Sequence, residues 1–95
     1  MKTPFGNTVA AIKLAKMVEN NTQLRRLVAR YFGDYLKMLE SVSSIPVVKS
    51  KRRALLIFRT YYFDAVEKDS RIPLVLKGYL LNVMSAHHRG VQKSL

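Results

Sequence analysis

An apolar seam between positions 24 and 42 is the feature that most constrains how this chain can fold. Its members, separated by steps of four and three, are Leu24, Val28, Tyr31, Tyr35, Met38 and Val42. Such steps place side chains on one side of an α-helix. Further apolar residues widen that side into a core face, namely Leu27, Phe32, Leu36 and Leu39. The pattern predicts a long amphipathic helix that begins at a Thr22 N-cap and ends near position 42.

The stretch before this seam predicts a shorter amphipathic helix over residues 9–19. Asn7 or Thr8 can cap it, because each offers a side-chain oxygen to the first free N–H groups. Residues 1–6 contain Pro and Gly and are expected to form an irregular lead-in. Two asparagines then interrupt the helical pattern before the seam begins.

The stretch after the seam has two interpretations. Residues 41–48 form a break, because Pro46 disfavours helix at the residue before it. Helical spacing then resumes at Leu55, Phe58, Tyr62, Ala65 and Val66. The alternative is a strand over residues 54–63, since this run is rich in apolar and aromatic residues with high strand propensity.

A final helix is expected to follow a turn near residues 67–70. Ser70 can cap it, Pro73 suits its first turn, and Gly90 is expected to end it. Residues 91–95 are then a frayed tail. The whole chain, residues 1–95, is therefore predicted to be one all-α domain, a compact bundle or orthogonal arrangement of about four helices, with an α+β fold as the alternative.

The charge balance indicates the class of partner. Seventeen Lys and Arg against six Asp and Glu give a net charge of +11, which attracts anions. Nucleic acid, DNA or RNA, is the expected partner, with another polyanion or an acidic protein as alternatives. The residues expected to contact phosphates are Arg25, Arg26, Arg30, Lys49, Lys51, Arg52, Arg53 and Arg59. The competing interpretation is a solvated basic face that only keeps the protein soluble.

Residues 14–27 contain a sequence pattern that resembles the helix-turn-helix of DNA-binding proteins. An alanine-containing helix, Leu14-Ala15-Lys16-Met17-Val18, precedes a polar turn and the basic segment Leu24-Arg25-Arg26-Leu27. The resemblance implies a recognition helix in the major groove. Glu19 and Asn20 depart from it, because such motifs usually carry a glycine and an apolar residue there.

Aromatic residues beside the basic run suggest RNA as well. Exposed rings among cations can stack on unpaired bases. On a helix, however, Phe58 and Tyr62 share the core face, so that only Tyr61 or Phe63 would be free.

Catalytic and metal chemistry are not expected. The chain has no cysteine, no HExxH or GxSxG motif and no glycine-rich phosphate loop. His87 and His88 are adjacent, so a helix directs them about 100 degrees apart, and one is expected to be packed and the other solvated. Neither a cofactor nor a membrane span is expected, and the lack of cysteine favours the cytoplasm.

A different class of function is an adaptor that docks on another protein. The last helix is apolar nearly all round, and the residues expected to form its contact surface are Leu76, Tyr79, Leu80 and Met84. A homodimer formed through this surface would also cover it and would double the area of basic surface offered to an anion.

Overall fold

A computed structural model describes residues 2–93 of the chain. Within that range the chain folds into four helices, α1 Val9–Val18, α2 Thr22–Ser43, α3 Val48–Lys68 and α4 Leu74–Lys93. These residues contain no strand beyond a single bridge between Thr3 and Gly6. The all-α prediction is confirmed, and the strand alternative for residues 54–63 is wrong.

The long seam forms α2 as predicted, with its cap shifted by one residue. Asn21 is the N-cap, because its side-chain oxygen accepts a hydrogen bond of 3.1 Å from the Leu24 N–H. Thr22 is therefore the first helical residue. Thr8 caps α1 in the same way by accepting 3.1 Å from the Ala11 N–H. Four members of the seam are buried in the core, Val28, Tyr35, Met38 and Val42.

Tertiary packing explains why α3 is a helix despite its strand-like composition. Leu55 and Val66 are its two buried residues, and eleven positions apart they fall on one side of a helix. In a strand, they would face opposite sides of the sheet and lie more than about 30 Å apart, so that one small core could not bury both. Burial against α2 and α4 therefore overrides local strand propensity.

The turn between α3 and α4 depends on Asp69. Ser70, the predicted N-cap of the last helix, lies four residues before Leu74, where α4 begins. The Asp69 carboxylate accepts hydrogen bonds from the Arg71 side chain at 2.9 and 2.7 Å and from the Tyr31 hydroxyl at 2.7 Å. The Arg71 bonds, followed by the Tyr31 bond, hold the pKa of Asp69 well below its usual range. Pro73 immediately precedes α4 and its carbonyl accepts from the Lys77 N–H at 3.0 Å.

The predicted docking surface on the last helix is wrong, because most of its residues form the core. Leu76, Leu80 and Met84 are buried. Tyr79 is half-buried, with the Lys13 ammonium 5.7 Å from its ring centroid. Side chains inside the core cannot meet a partner, so the argument for a homodimer through this surface no longer holds.

The last helix also runs further than predicted. Gly90 lies inside α4, which continues to Lys93. Residues 91–93 are therefore helical and do not fray, whereas the rest of the predicted tail lies outside the described residues. An isolated glycine costs a helix only about 1 kcal/mol, so packing of neighbouring residues can carry the helix past it.

A buried polar pair joins α2 to α4. The Tyr35 hydroxyl and His88 Nδ1 share a hydrogen bond of 3.0 Å. Burial raises the pKa of Tyr35 to about 12. Burial, followed by the nearby charge of Arg59, lowers the pKa of His88. His88 is thus the packed histidine, while His87 is half-buried against the Phe32 ring.

We expect Leu80→Ala to lower the free energy of unfolding by about 2–5 kcal/mol, because it leaves a cavity in the core. Leu74→Ala should change it by less than about 0.5 kcal/mol, since Leu74 is 82% exposed. Urea unfolding of both variants checks the prediction. Equal losses would contradict the burial of α4 described above.

We expect stability to fall as the pH drops below about 6.5, the ordinary pKa of histidine. The lowered pKa of His88 means that the unfolded chain binds a proton there before the folded chain does. His88→Gln should remove this slope, whereas His87→Gln should keep it. Urea midpoints between pH 5.5 and 7.5 measure the effect. If His88→Gln keeps the slope, the pH dependence of stability comes from another group.

Candidate nucleic-acid interface

The eight basic residues predicted to contact phosphates do not form one cluster. Arg25 and Arg26 lie in the first turn of α2, whereas Lys49–Arg53 follow its far end across a short connector. At about 1.5 Å per residue, α2 separates these two groups by roughly 25 Å. Any ligand that touches both groups must therefore run along α2.

The larger group surrounds the N-terminal end of α3. We call Lys49, Lys51, Arg52 and Arg53 the α3 basic cluster; Lys51 is half-buried and the other three are exposed. Val47 is the N-cap and makes no side-chain cap hydrogen bond, and the first turn contains no acidic residue. Unpaired N–H groups and four cations therefore meet at the positive end of the helix dipole, which favours a bound anion.

The carboxylates of residues 2–93 do not neutralise this cluster. Within residues 2–93 the ion pairs are Lys68 with Asp64 at 2.9 Å and Arg71 with Asp69 at 2.7 Å. Neither pair includes any of the eight predicted residues. Their charges are therefore available to an outside anion.

A groove between α2 and α3 leads away from the cluster. Two adjoining pockets of about 400 and 370 Å³ share Asp34 and Tyr62. We call them together the α2–α3 groove; its walls include Arg30, Asp34 and Lys37 on α2 and Phe58, Tyr61 and Tyr62 on α3. The groove thus carries cations on one wall and aromatic rings on the other.

The aromatic wall is more accessible than the sequence suggested. Tyr61 is 67% exposed and Phe58 is 43% exposed, so the prediction that Phe58 belongs to the core is wrong. Tyr62 is half-buried between Tyr35 and Tyr61, with ring centroids 5.7 and 5.3 Å away. Helical spacing identified the side of α3 correctly, but Phe58 lies at the open groove between α3 and the α2 residues Lys37 and Ser41, which leave its ring partly exposed.

Arg59 has a different role from the cluster. Its guanidinium lies 4.4 Å from the centroid of the Phe63 ring, and Arg59 itself is half-buried. Its charge also lowers the pKa of His88. Arg59 therefore packs against the core of the bundle instead of projecting with Lys49 and Arg53.

The pair α1 and α2 has the predicted helix-turn-helix connectivity. Residues 19–21 form the turn, and Arg25 Nη1 donates a hydrogen bond of 2.9 Å to the Glu19 carbonyl across it. However, α1 packs mainly on α4, and an open groove separates part of α1 from α2. Binding of DNA by this pair stays a prediction.

No group of three His, Cys, Asp or Glu side chains within residues 2–93 could hold a metal ion. None of the four described helices combines the length and hydropathy that a membrane span requires. Comparison with protein-family models, curated proteins and solved structures finds no match for this chain.

Replacing Lys49 and Arg53 together with Gln should raise the free energy of unfolding by about a few tenths of a kcal/mol in total. Lys49 lies in the first turn of α3, at the positive end of the helix dipole, whereas Arg53 lies about one turn further on, and neither forms an ion pair within residues 2–93. The control Lys68→Gln, at the other end of α3, should lower it slightly, because Lys68 pairs with Asp64. Thermal unfolding at low salt measures both, and a clear loss of stability in the double variant would contradict the prediction.

Proposed function

We propose that this protein binds nucleic acid, preferentially single-stranded, in the α2–α3 groove. The observation that carries the proposal is the exposure of Phe58 and Tyr61 beside cations that form no ion pair with any carboxylate of the described residues. Single strands are bound by aromatic rings that stack on bases and by cations that follow the phosphates. Duplex binding needs no such rings, because its bases are already stacked on each other.

The groove supports a specific orientation of the strand. Asp34 lies between Arg30 and Lys37 on the α2 wall and lines both pockets, so that its carboxylate would repel a phosphate in the middle of the groove. Its carboxylate can instead accept hydrogen bonds from base amino groups. Bases are thus directed inward, towards Phe58 and Tyr61, while phosphates follow Arg30 and Lys37 along the rim.

The α3 basic cluster would then hold the strand where it leaves the groove. Its arginines offer planar forks that match phosphate oxygens, and its lysines offer mobile point charges. The uncapped N–H groups of α3 add neutral donors at the same place.

The proposal includes no catalysis. It places the protein in the cytoplasm, as supported by the lack of cysteine in the sequence.

We expect Lys51, Arg52 and Arg53, replaced together with Gln, to reduce the salt dependence of binding to a single-stranded oligonucleotide. Each lost phosphate contact should lower the log–log slope by about 0.7, so the triple variant should lose up to roughly two units. The control removes the same charge elsewhere, through Lys13, Lys68 and Lys77. An equal change of slope in the control would mean that only net charge matters.

The same assay separates base stacking from charge. Phe58→Ala with Tyr61→Ala should weaken binding of the single strand by about 1–3 kcal/mol per stacked base and leave the slope unchanged. Binding to duplex DNA and to heparin should respond little. Equal affinity for all three polyanions, insensitive to the two rings, would reduce the function to general polyanion binding and contradict the proposal.

A further inference from the structure

A second groove, between α1 and α2, has a different chemistry. Its volume is about 710 Å³. Apolar or small side chains form most of its surface, including Phe5, Ile12, Ala15, Val18 and Ala29. Lys16, Arg25, Arg26 and Glu19 supply its charged groups. We call this the α1–α2 groove.

Small side chains keep the groove open. Ala15 on α1 and Ala29 on α2 both line it, and neither can fill the space between the two helices. From Ile12 to Glu19, α1 runs along the groove for about 10 Å, since each residue rises about 1.5 Å. This length accommodates two turns of another helix, with apolar side chains spaced three or four residues apart.

The charges of the groove are mostly positive, and one of them, Arg25, is held in place. Arg25 is fixed by its 2.9 Å hydrogen bond to the Glu19 carbonyl and retains further N–H donors. Within residues 2–93, neither Lys16 nor Arg26 forms an ion pair. Three cations against the single Glu19 carboxylate favour an occupant that carries negative charge beside its apolar side chains.

From this complementarity we propose that the α1–α2 groove binds an acidic amphipathic helix of another protein. The apolar residues of that helix enter between Ala15 and Ala29, and its carboxylates meet Lys16, Arg25 and Arg26. A second copy of this chain is a poor occupant, because its net charge is +11 and only six of its residues are acidic. The site would make the protein an adaptor between a nucleic acid and an acidic partner.

The inference is independent of the proposed function. The α1–α2 groove lies at the N-terminal end of α2, roughly 25 Å along that helix from the α3 basic cluster. Its surface combines apolar side chains with positive charge, whereas the α2–α3 groove is distinguished by its exposed aromatic rings. Loss of one activity by substitution should therefore leave the other intact.

Fluorescence anisotropy with a labelled synthetic helix tests the proposal. The probe is a peptide of about 16 residues, long enough to form a helix, with Leu at positions spaced by three and four and Glu beside them. Control probes replace every Glu with Lys, or every Leu with Ser. We expect binding of the Leu/Glu peptide only.

Two variants test whether the peptide binds in the α1–α2 groove. Ala29→Trp should fill the space and weaken binding at least about tenfold, without changing the charge; Ala29 is exposed, so the fold should tolerate the change. Lys16→Gln with Arg26→Gln should also weaken it, whereas the charge-matched control Lys49→Gln with Arg53→Gln should not. The single-stranded oligonucleotide should still bind Ala29→Trp with its original affinity.

Three outcomes would overturn the proposal. Equal binding of the control peptide in which Ser replaces every Leu would show that only negative charge is recognised. Unchanged binding by Ala29→Trp would place the site elsewhere. Binding of oleate, without binding of any peptide, would make the groove a lipid site. Circular dichroism of each variant establishes that the fold is intact, and Ala29→Gln serves as a smaller substitution if Ala29→Trp unfolds.

Discussion

The arrangement of the bundle depends on Tyr35, which is fully buried and contacts residues of two other helices. Its ring lies 5.7 Å from the rings of both Tyr62 and Phe63 on α3, and its hydroxyl shares a hydrogen bond with His88 on α4. One side chain thereby fixes the positions of α3 and α4 relative to α2. A buried hydroxyl without a partner would be unfavourable, so this bond also selects the rotation of α4 that presents His88.

The surplus of positive charge plays little part in holding these helices together. Apolar burial forms the core, and the two ion pairs of residues 2–93 lie at the C-terminal end of α3 and in the following turn. The cations of α2 and of the N-terminal end of α3 therefore remain available to ligands. The α2 cations lie in two places with different neighbours: aromatic rings line the groove beside Arg30 and Lys37, and small apolar residues line the groove beside Arg25 and Arg26.

Much of the fold could be predicted from the sequence, because apolar spacing reveals which side of a helix is buried. The α2 seam and the helical nature of α3 follow from that spacing. The spacing does not show which neighbouring helix covers each position. Phe58 has core spacing but lines the open α2–α3 groove, whereas Leu80, predicted to contact a partner, fills the core. The two grooves were missed for the same reason, since Ala29 shows its importance only when α1 is seen to lie apart from α2.

The hydrogen bond from Tyr31 to Asp69 gives the α2–α3 groove unequal ends. Near Arg71 it ties α2 to the residue that ends α3, whereas within residues 2–93 no side-chain hydrogen bond joins the two helices beside Phe58. One end is thus held by that hydrogen bond, and the other by the short connector of residues 44–47 together with apolar contact. Because the two helices are held at both ends, the present width of the groove limits the size of any guest that can enter it.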